Sequence, residues 1–275
     1  MKQSVYEKIT AQFIESLNNG IVPWKKPFKG NANFITKKEY RGFNALSTSS
    51  KDFECPYWVT FNQAVALKGK IKKGSKGTLI IYWSKNEKEV ENEEGVIETK
   101  ECPFFTCTTV FNLEQTEGIA WEYPQEIKTL TGAETVISNY KNAPEVVFEE
   151  DRAFYSPLRD LVNMPKKQRF VSTEEFYCTF FHELIHSTGH QSRLDRPELS
   201  NMAFYNSHNY SKEELTAEIG AAFLCHETGI LNETMANSEA YIAGWAKALG
   251  NDPKMIVEAA GKAKKAVGYI LNTGG

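Results

Sequence analysis

The sequence predicts an α+β fold in two domains, residues 1–125 and 126–275. A chain of 275 residues is long enough to form two cores of ordinary size. Its charge is unevenly divided, because residues 1–85 carry 15 Lys and Arg against 5 Asp and Glu, whereas the other residues carry 17 against 30. Helix-like and strand-like patterns also alternate along both parts. A basic first part and an acidic second part indicate two different tasks.

The first domain is predicted to combine helices with a β-hairpin. Apolar side chains recur at helical spacing near the N terminus, and runs of β-branched and aromatic residues mark the strands. The predicted elements are a helix at 3–18, a short helix that begins near Thr60, and strands at 76–83 and 104–112 joined by a long acidic loop at 85–101. A proline and polar residues at 124–130 mark the expected domain boundary.

The second domain is predicted to be mostly helical with a small sheet. Ser172 followed by Glu175 is a capping-box pattern, which places the start of a helix just before an apolar run. The predicted elements are a helix at 132–141, strands at 145–150 and 152–165, a helix at 172–189, a helix after Ser211, and two helices in the C-terminal third. The strand at 152–165 is a candidate for edge pairing with an extended substrate, the alternative being a purely structural strand.

The helix at 172–189 contains the sequence FFHELIHSTGH. His182 and His186 are four residues apart, so they project from one face of the helix and can bind the same tetrahedral ion. Glu183 projects about 100° away, which suits a general base that acts on a water activated by the ion. Two buried histidines on so apolar a helix are costly without a partner. The pattern therefore predicts a catalytic metal site of the HExxH type.

Histidines outside this motif are weaker candidates. The metzincin pattern HExxHxxGxxH is not completed, because its third histidine position is occupied by Ser192, and His190 falls two residues short. His190 is expected at the end of the helix or on the surface, with a functional role as the alternative. His208 or Tyr210 is a candidate for stabilising an oxyanion from the intervening loop.

The third metal ligand is expected on the helix EELTAEIGAAFLC. Glu214 and Glu218 lie one turn apart on this helix, which is otherwise small or apolar on almost every side. Carboxylates in such a position are costly unless a cation neutralises them. The alternative for Glu214 is a capping box with Ser211. Both glutamates remain candidates for the ligand, with Glu214 favoured.

Between residues 24 and 76, basic residues interleave with aromatic ones. Cations follow the phosphates of a single-stranded nucleic acid, and aromatic faces stack on unpaired bases at about 1–3 kcal/mol each. The alternative is that these rings form the core of a small domain. The aromatic residues are Trp24, Phe28, Phe34, Tyr40, Phe43, Tyr57, Trp58 and Phe61. The candidate DNA-binding residues are Trp24, Lys25, Lys26, Tyr40, Arg41, Trp58 and Lys72.

Several segments resemble the ArdC-type antirestriction proteins, in the same order along the chain. GIVPWKKPF, NFITKKEYRGFNAL and YWVTFNQAVALKGKIKKGSKGTLIIYW are similar to the N-terminal single-stranded-DNA-binding domain of that family. AFYSPLRDLVNMP, FHELIHSTGHQSRL and EELTAEIGAAFL are similar to its zincin-type metallopeptidase domain. The order HExxH and then E-x-x-A-acid also resembles the gluzincin metallopeptidases. That resemblance implies Glu214 as third ligand and Glu218 as the carboxylate that orients a ligand histidine, or the reverse.

The family resemblance implies an antirestriction protein of a mobile element that protects incoming DNA from host restriction. The implied cofactor is Zn²⁺, with another divalent metal as the alternative, and the implied partners are single-stranded DNA and an unidentified protein substrate. The alternative function is a protein that acts by occupying single strands, with a metal-bound zincin domain that serves only as a scaffold. A replication accessory protein would need a primase domain, for which the chain is expected to have no room.

No segment predicts export or membrane insertion. The longest apolar runs, such as TLIIYW, fall far short of the ~20 residues that span a bilayer, and the N-terminal segment lacks the hydrophobic core of a signal peptide. The five cysteines are scattered without CxxC spacing, which indicates reduced thiols. We therefore expect a cytoplasmic protein that does not bind a membrane.

Overall fold

The structure, a computed structural model, describes residues 4–25, 31–51, 53, 55–91, 97–122, 132–170, 172–200, 208–230 and 239–273. The chain forms two compact units. The first unit comprises Met1–Asn31, Glu39–Asp52 and Glu122–Gly275, and the second unit comprises Ala32–Lys38 and Phe53–Trp121. This division differs from the predicted split at residue 125, because two N-terminal segments pack with the C-terminal part of the chain.

Both units contain helices and small sheets, which confirms the predicted α+β class. The helices in the described residues are α1 (Val5–Asn18), α2 (Phe43–Ser49), α3 (Phe61–Ala66), α4 (Gly132–Asn139), α5 (Thr173–Ser187), α6 (Pro197–Ser200), α7 (His208–Thr228), α8 (Glu239–Asn251) and α9 (Met255–Ile270). The strands are β1 (Ala32–Asn33), β2 (Tyr57–Thr60), β3 (Lys70–Ile71), β4 (Thr78–Glu91), β5 (Ile97–Asn112), β6 (Thr116–Glu117), β7 (Glu145–Val147), β8 (Phe154–Ser156) and β9 (Leu161–Asn163).

The second unit is built on a four-stranded sheet in the order β1-β2-β5-β4, with β3 and β6 as a separate pair. Thr60 ends β2 and caps α3, because its hydroxyl accepts from the backbone N–H of Gln63 while the Gln63 side chain accepts from Thr60. Trp58, Val59 and Leu113 are buried in its core. The short helix predicted to begin near Thr60 is thereby confirmed.

The hairpin of β4 and β5 extends further than predicted. Residues 85–91 and 97–101 were expected in a solvated loop, yet they continue the antiparallel register as far as Glu91 opposite Ile97. Residues 92–96 lie outside the described residues. Strand pairing is made by backbone groups, so a hairpin whose register is set by an apolar segment can continue through polar residues.

The first unit contains a three-stranded sheet in the order β7-β9-β8. The single strand predicted at 152–165 is wrong, because β8 and β9 form an antiparallel hairpin with a turn at 157–160. Asp160 has a positive φ of 47° in this turn, and Leu158 is 97% exposed. The turn interrupts a run of residues whose β-propensity suggested one continuous strand.

The N-terminal helix α1 is amphipathic, as predicted, but its apolar face belongs to the first unit. Ile9, Phe13 and Leu17 are buried, and α1 packs against α8. The Thr10 hydroxyl donates to the backbone oxygen of Pro253 at 2.7 Å. The apolar stripe of α1 therefore completes the core around the C-terminal helices.

Close packing of α5 against α7 positions the HExxH helix. Gly220 of α7 faces Ile185 of α5, and a Cβ at residue 220 would lie 2.7 Å from Ile185 Cδ1. The thiols of Cys178 and Cys225 are 3.0 Å apart across the same contact. A glycine here lets the two helix backbones approach each other. None of the described helices is both long and apolar enough to cross a membrane.

Candidate metal centre

Helix α5 carries the two histidines of the HExxH motif. It begins after Ser172, whose hydroxyl accepts from the backbone N–H of Glu175. The rings of His182 and His186 lie 4.7 Å apart between centroids, and their Nε2 atoms are 3.1 Å apart. The four-residue spacing therefore directs one nitrogen from each ring to the same point.

Helix α7 supplies a carboxylate at that point. Glu214 Oε2 lies 3.5 Å from His182 Nε2, and Glu214 Oε1 lies 3.4 Å from His186 Nε2. The ligand atoms of these three residues all lie within 4.8 Å of one another, and no other group of three such side chains in the described part of the chain is arranged to hold an ion. Because α7 already begins at His208, Ser211 lies within the helix and does not cap it.

Glu213, the neighbour of Glu214, contacts the second ring nitrogen of His186, Nδ1. Its Oε1 lies 3.1 Å from His186 Nδ1, and its side chain is completely buried. A carboxylate can only accept here, so Nδ1 carries a hydrogen and Nε2 is the nitrogen left for a metal. The carboxylate that orients His186 is therefore Glu213, while the expected role of Glu218 in orienting a ligand histidine stays a prediction. Glu218 lies outside the group of three ligand atoms.

The electrostatics of the centre favour a cation. Burial opposes protonation of His186, but hydrogen bonds to Glu213 and Glu214 raise the pKa of the ring to about 10. Burial likewise disfavours the charged form of Glu214, yet the imidazoles of His182 and His186 hold the pKa of that carboxyl well below its usual range. The site stabilises positive charge between the two histidines and Glu214. A divalent ion would replace the protons that these rings otherwise hold.

Glu183 lies beside the centre without joining its ligand atoms. Its side chain is buried, with 8% of the residue exposed. Burial lowers the pKa of His182, but the hydrogen bond that its ring donates to Glu214 raises it, and the carboxylates of Glu183 and Glu218 add to the rise. The role of Glu183 as general base stays a prediction of the HExxH motif.

His190 lies at the end of the helix, as expected, and not in the metal cluster. Its Nδ1 lies 2.8 Å from the Ser192 hydroxyl and 3.9 Å from Asp160 Oδ2. Ser192 is exposed, so the metzincin geometry is absent from this described segment. The side chains of His208 and Tyr210 lie outside the described residues.

Comparisons with known proteins match the two parts of the sequence to two different family models. A model of the N-terminal domain of anti-restriction factor ArdC matches residues 3–111, and a model of zincin-like metallopeptidases matches residues 132–262. The fold is similar to the metal-free crystal structure of the antirestriction ArdC protein from plasmid R388, with a TM-score of 0.76 and 31% identity over 98% of this chain and 97% of that one. The chain belongs to the ArdC family.

Two further similarities place this ArdC-family chain among its relatives. The Mn(II)-bound structure of the R388 ArdC protein is similar with a TM-score of 0.75 and 30% identity, over 98% of both chains. A DNA primase TraC of Escherichia coli is 34% identical over 98% of this chain but only 27% of its own length. This chain thus spans about a quarter of that primase. Membership of a zincin-like family, together with the converging ligand atoms, supports a divalent metal at the cluster.

In this ArdC-family protein, the two tryptophans expected to stack on bases are buried instead. Trp24 is 0% exposed in the first unit and packs edge-on against Trp245, with 5.6 Å between ring centroids. Trp58 is 1% exposed in the second unit and packs against Phe53 at the same centroid distance. Both predictions are wrong, because large apolar rings gain more from burial in a small core than from exposure. Both rings instead belong to a hydrophobic core, which was the alternative to stacking on bases.

The other candidate DNA-binding residues are spread over both units. Tyr40 is half-buried and Arg41 is exposed, and both line a cavity of about 260 Å³ in the first unit. Lys72 is exposed in the second unit, where its Nζ donates to the backbone oxygen of Glu114 at 2.8 Å. The Lys25 side chain and the whole of Lys26 lie outside the described residues.

The second unit exposes a basic surface, of which only Lys72 was among the candidate DNA-binding residues. Residues 55–86 contain no Asp or Glu. The lysine surface consists of five exposed residues, Lys68, Lys70, Lys72, Lys73 and Lys76. Close to it in the sequence, Phe61 and Val65 are 57% and 55% exposed on successive turns of α3. The sequence named Phe61 among the aromatic residues, but its exposure close to these lysines was evident only once burial was known.

Proposed function

We propose that this chain is an antirestriction protein that combines a metal-dependent peptide hydrolase in its first unit with single-stranded-DNA binding in its second unit. The observation that carries the hydrolase is the convergence of His182, His186 and Glu214 beside the buried carboxylate of Glu183. A scaffold that only bound a metal would not need that fourth residue. The family's description as antirestriction proteins supports protection of incoming DNA as the biological role.

Three residues would hold the cofactor. His182 and His186 each present Nε2, and Glu214 presents a carboxylate oxygen, which is the N and O donor set of catalytic zinc sites with an open coordination position. We therefore propose Zn²⁺, and the Mn(II) bound by the R388 relative shows that a protein of this fold also accepts a harder ion. The bound ion would supply Lewis-acid activation of water and of a substrate carbonyl.

Glu183 is proposed as the general base. Its carboxylate takes a proton from the attacking water and returns it to the leaving amine, which splits a peptide bond into a carboxylate and an amine. Its burial excludes bulk water from the carboxylate. The protein substrate is unidentified, and the partly buried hairpin of β8 and β9, which packs beside α5, is the proposed place for an extended peptide.

Single-stranded DNA is proposed to bind the second unit at the lysine surface and Phe61. The lysines neutralise successive phosphates, and the exposed ring of Phe61 provides a face on which a base can stack. Tyr40, Arg41, Lys25 and Lys26 belong to segments of the first unit, and their contacts with DNA are a separate proposal. Trp24 and Trp58 are not part of this surface, because a buried ring has no face on which a base can stack.

The substitution Glu183→Gln tests hydrolysis against the scaffold alternative. We expect the variant to bind metal as the unaltered protein does, while protection of unmodified DNA entering a restricting host falls to the level without the protein. General-base catalysis contributes about 10²–10⁴-fold, so residual hydrolysis would be too slow to protect. Glu174→Gln, the same chemical change near the start of α5, is the matched control. Undiminished protection by Glu183→Gln with metal bound would favour occlusion of single strands.

A further inference from the structure

Arg196 is a buried cation just beyond the HExxH helix. The residue is 4% exposed, and its guanidinium donates to both carboxylate oxygens of Glu213, at 2.9 Å from Nε and 2.5 Å from Nη2. It also donates to the Thr188 hydroxyl at 2.6 Å and to the backbone oxygen of Ile185 at 2.8 Å. One side chain thus joins the C-terminal end of α5 to Glu213 of α7.

The chain is shaped to bring this guanidinium close to α5. Residues 189–196 fold back on the helix, so that the backbone N–H of Arg196 donates to the oxygen of Gly189 at 2.9 Å. A Cβ at residue 189 would lie 2.8 Å from Arg196 Nη2 and 2.9 Å from Cζ. Gly189, which superficially belongs to a metzincin pattern, leaves the space that the guanidinium occupies.

Resting on the proposed metal site, we infer that Arg196 is a positioning residue for the ligand His186. Arg196 holds both oxygens of Glu213 in a bidentate pair, and Glu213 Oε1 accepts from His186 Nδ1. The imidazole ring is thereby fixed with Nε2 directed at Glu214 and His182. Ligand histidines held by an ordered carboxylate bind metal more tightly, because the ring has less rotational freedom to lose when the metal binds.

A second arginine in the same loop provides a comparison. Arg193 forms an equally regular bidentate pair with Asp160, at 2.8 Å for both contacts, and donates to the backbone oxygen of Ser187 at 3.1 Å. Its carboxylate partner lies in the β8–β9 turn and does not contact His182 or His186. Both arginines tie the loop to neighbouring elements, but only Arg196 reaches a metal ligand through its partner.

Metal affinity separates positioning from simple support of the fold. Zn²⁺ affinity would be measured by competition with a chromophoric chelator for the unaltered protein and for Arg196→Met, Gly189→Ala and Arg193→Met. We expect Arg196→Met to bind about 10–100-fold more weakly, as is usual when the partner of a ligand histidine is disturbed. Gly189→Ala keeps every charge but displaces the guanidinium, so this variant should also bind Zn²⁺ more weakly than the unaltered protein does. Arg193→Met should leave metal affinity unchanged, whatever it does to thermal stability.

A double variant guards against unfolding of Arg196→Met. Replacing both partners, as in Arg196→Met with Glu213→Leu, removes the unpaired buried charge and should restore folding, while Zn²⁺ affinity stays low. The Co²⁺-substituted protein adds a spectroscopic measurement, because its visible absorption changes when the orientation of a ligand ring changes. Unaltered affinity and spectra in folded Arg196 and Gly189 variants would overturn the inference. Failure of the unaltered protein to bind metal would instead contradict the proposed function.

Discussion

The metal centre and the basic surface of the second unit use charged residues in opposite ways. At the metal centre, the ligand atoms of three residues lie within 4.8 Å of one another, and Glu213 contacts the second ring nitrogen of His186. On the lysine surface, five exposed cations follow one another along the chain, and no single one defines the site. A site of the first kind fails when one atom is moved. A site of the second kind is expected to weaken gradually as charges are removed.

The largest effect is expected from removing a metal ligand. His186→Ala deletes one of three ligand atoms and leaves Glu213 and Glu214 facing each other across a buried space. We expect Zn²⁺ affinity to fall by more than about 100-fold, beyond the loss caused by disturbing an outer partner. Calorimetric titration with Zn²⁺ measures the change, and His190→Ala, a histidine outside the cluster, is the control. Similar losses for both variants would mean that the cluster is not the binding site.

An intermediate effect is expected at Phe61, and it should be confined to DNA binding. Phe61→Ala removes an exposed ring, so we expect single-stranded-DNA affinity to fall by about 1–3 kcal/mol with no loss of thermal stability. Trp58→Ala provides the opposite case, because loss of a buried ring costs about 3–5 kcal/mol of unfolding free energy. Fluorescence anisotropy with a labelled oligonucleotide and thermal melting measure the two quantities. A destabilised Phe61→Ala with unchanged affinity would assign this ring to the core.

The smallest effect is expected from a single lysine. Lys72→Ala removes one cation from the lysine surface, whose other members remain. The slope of log affinity for single-stranded DNA against log salt concentration should become shallower by about 0.7, the value for one phosphate contact. Binding measured over a salt series gives the slope, with Lys166→Ala in the first unit as the control. A binding constant that does not depend on salt, even in the unaltered protein, would contradict an electrostatic surface.

The convergence of His182 and His186 could be predicted from the sequence because the signal for it is local. The four-residue spacing of His182 and His186 guarantees a shared helix face whatever the rest of the fold does. Glu214 was a candidate for a different reason, since a carboxylate on a largely apolar helix is costly unless a cation neutralises it. Glu213 was not separated from its neighbour, because the direction of a side chain on a helix depends on how that helix packs. The contact of Glu213 with His186 therefore required the arrangement of α5 against α7.

Arg196 and the basic surface show why the rest could not be predicted. An arginine in a loop is usually solvated, and the local sequence does not indicate that Arg196 is buried. Gly189, which leaves space for the guanidinium, is the one local feature related to this burial. The aromatic residues of the first half posed the same difficulty, because composition does not distinguish a ring in the core from a ring on the surface. Trp58 and Phe61 are three residues apart, yet one is 1% and the other 57% exposed. Only the tertiary fold separates them.

The identity of the third ligand is the central claim about this site. Metal content and Zn²⁺ affinity of the purified protein, compared between Glu214→Gln and Glu218→Gln, test it directly. The geometry predicts one divalent ion per chain in the unaltered protein, nearly the same occupancy and affinity in Glu218→Gln, and loss of the ion in Glu214→Gln. Retention of the ion by Glu214→Gln together with its loss from Glu218→Gln would contradict the proposed centre.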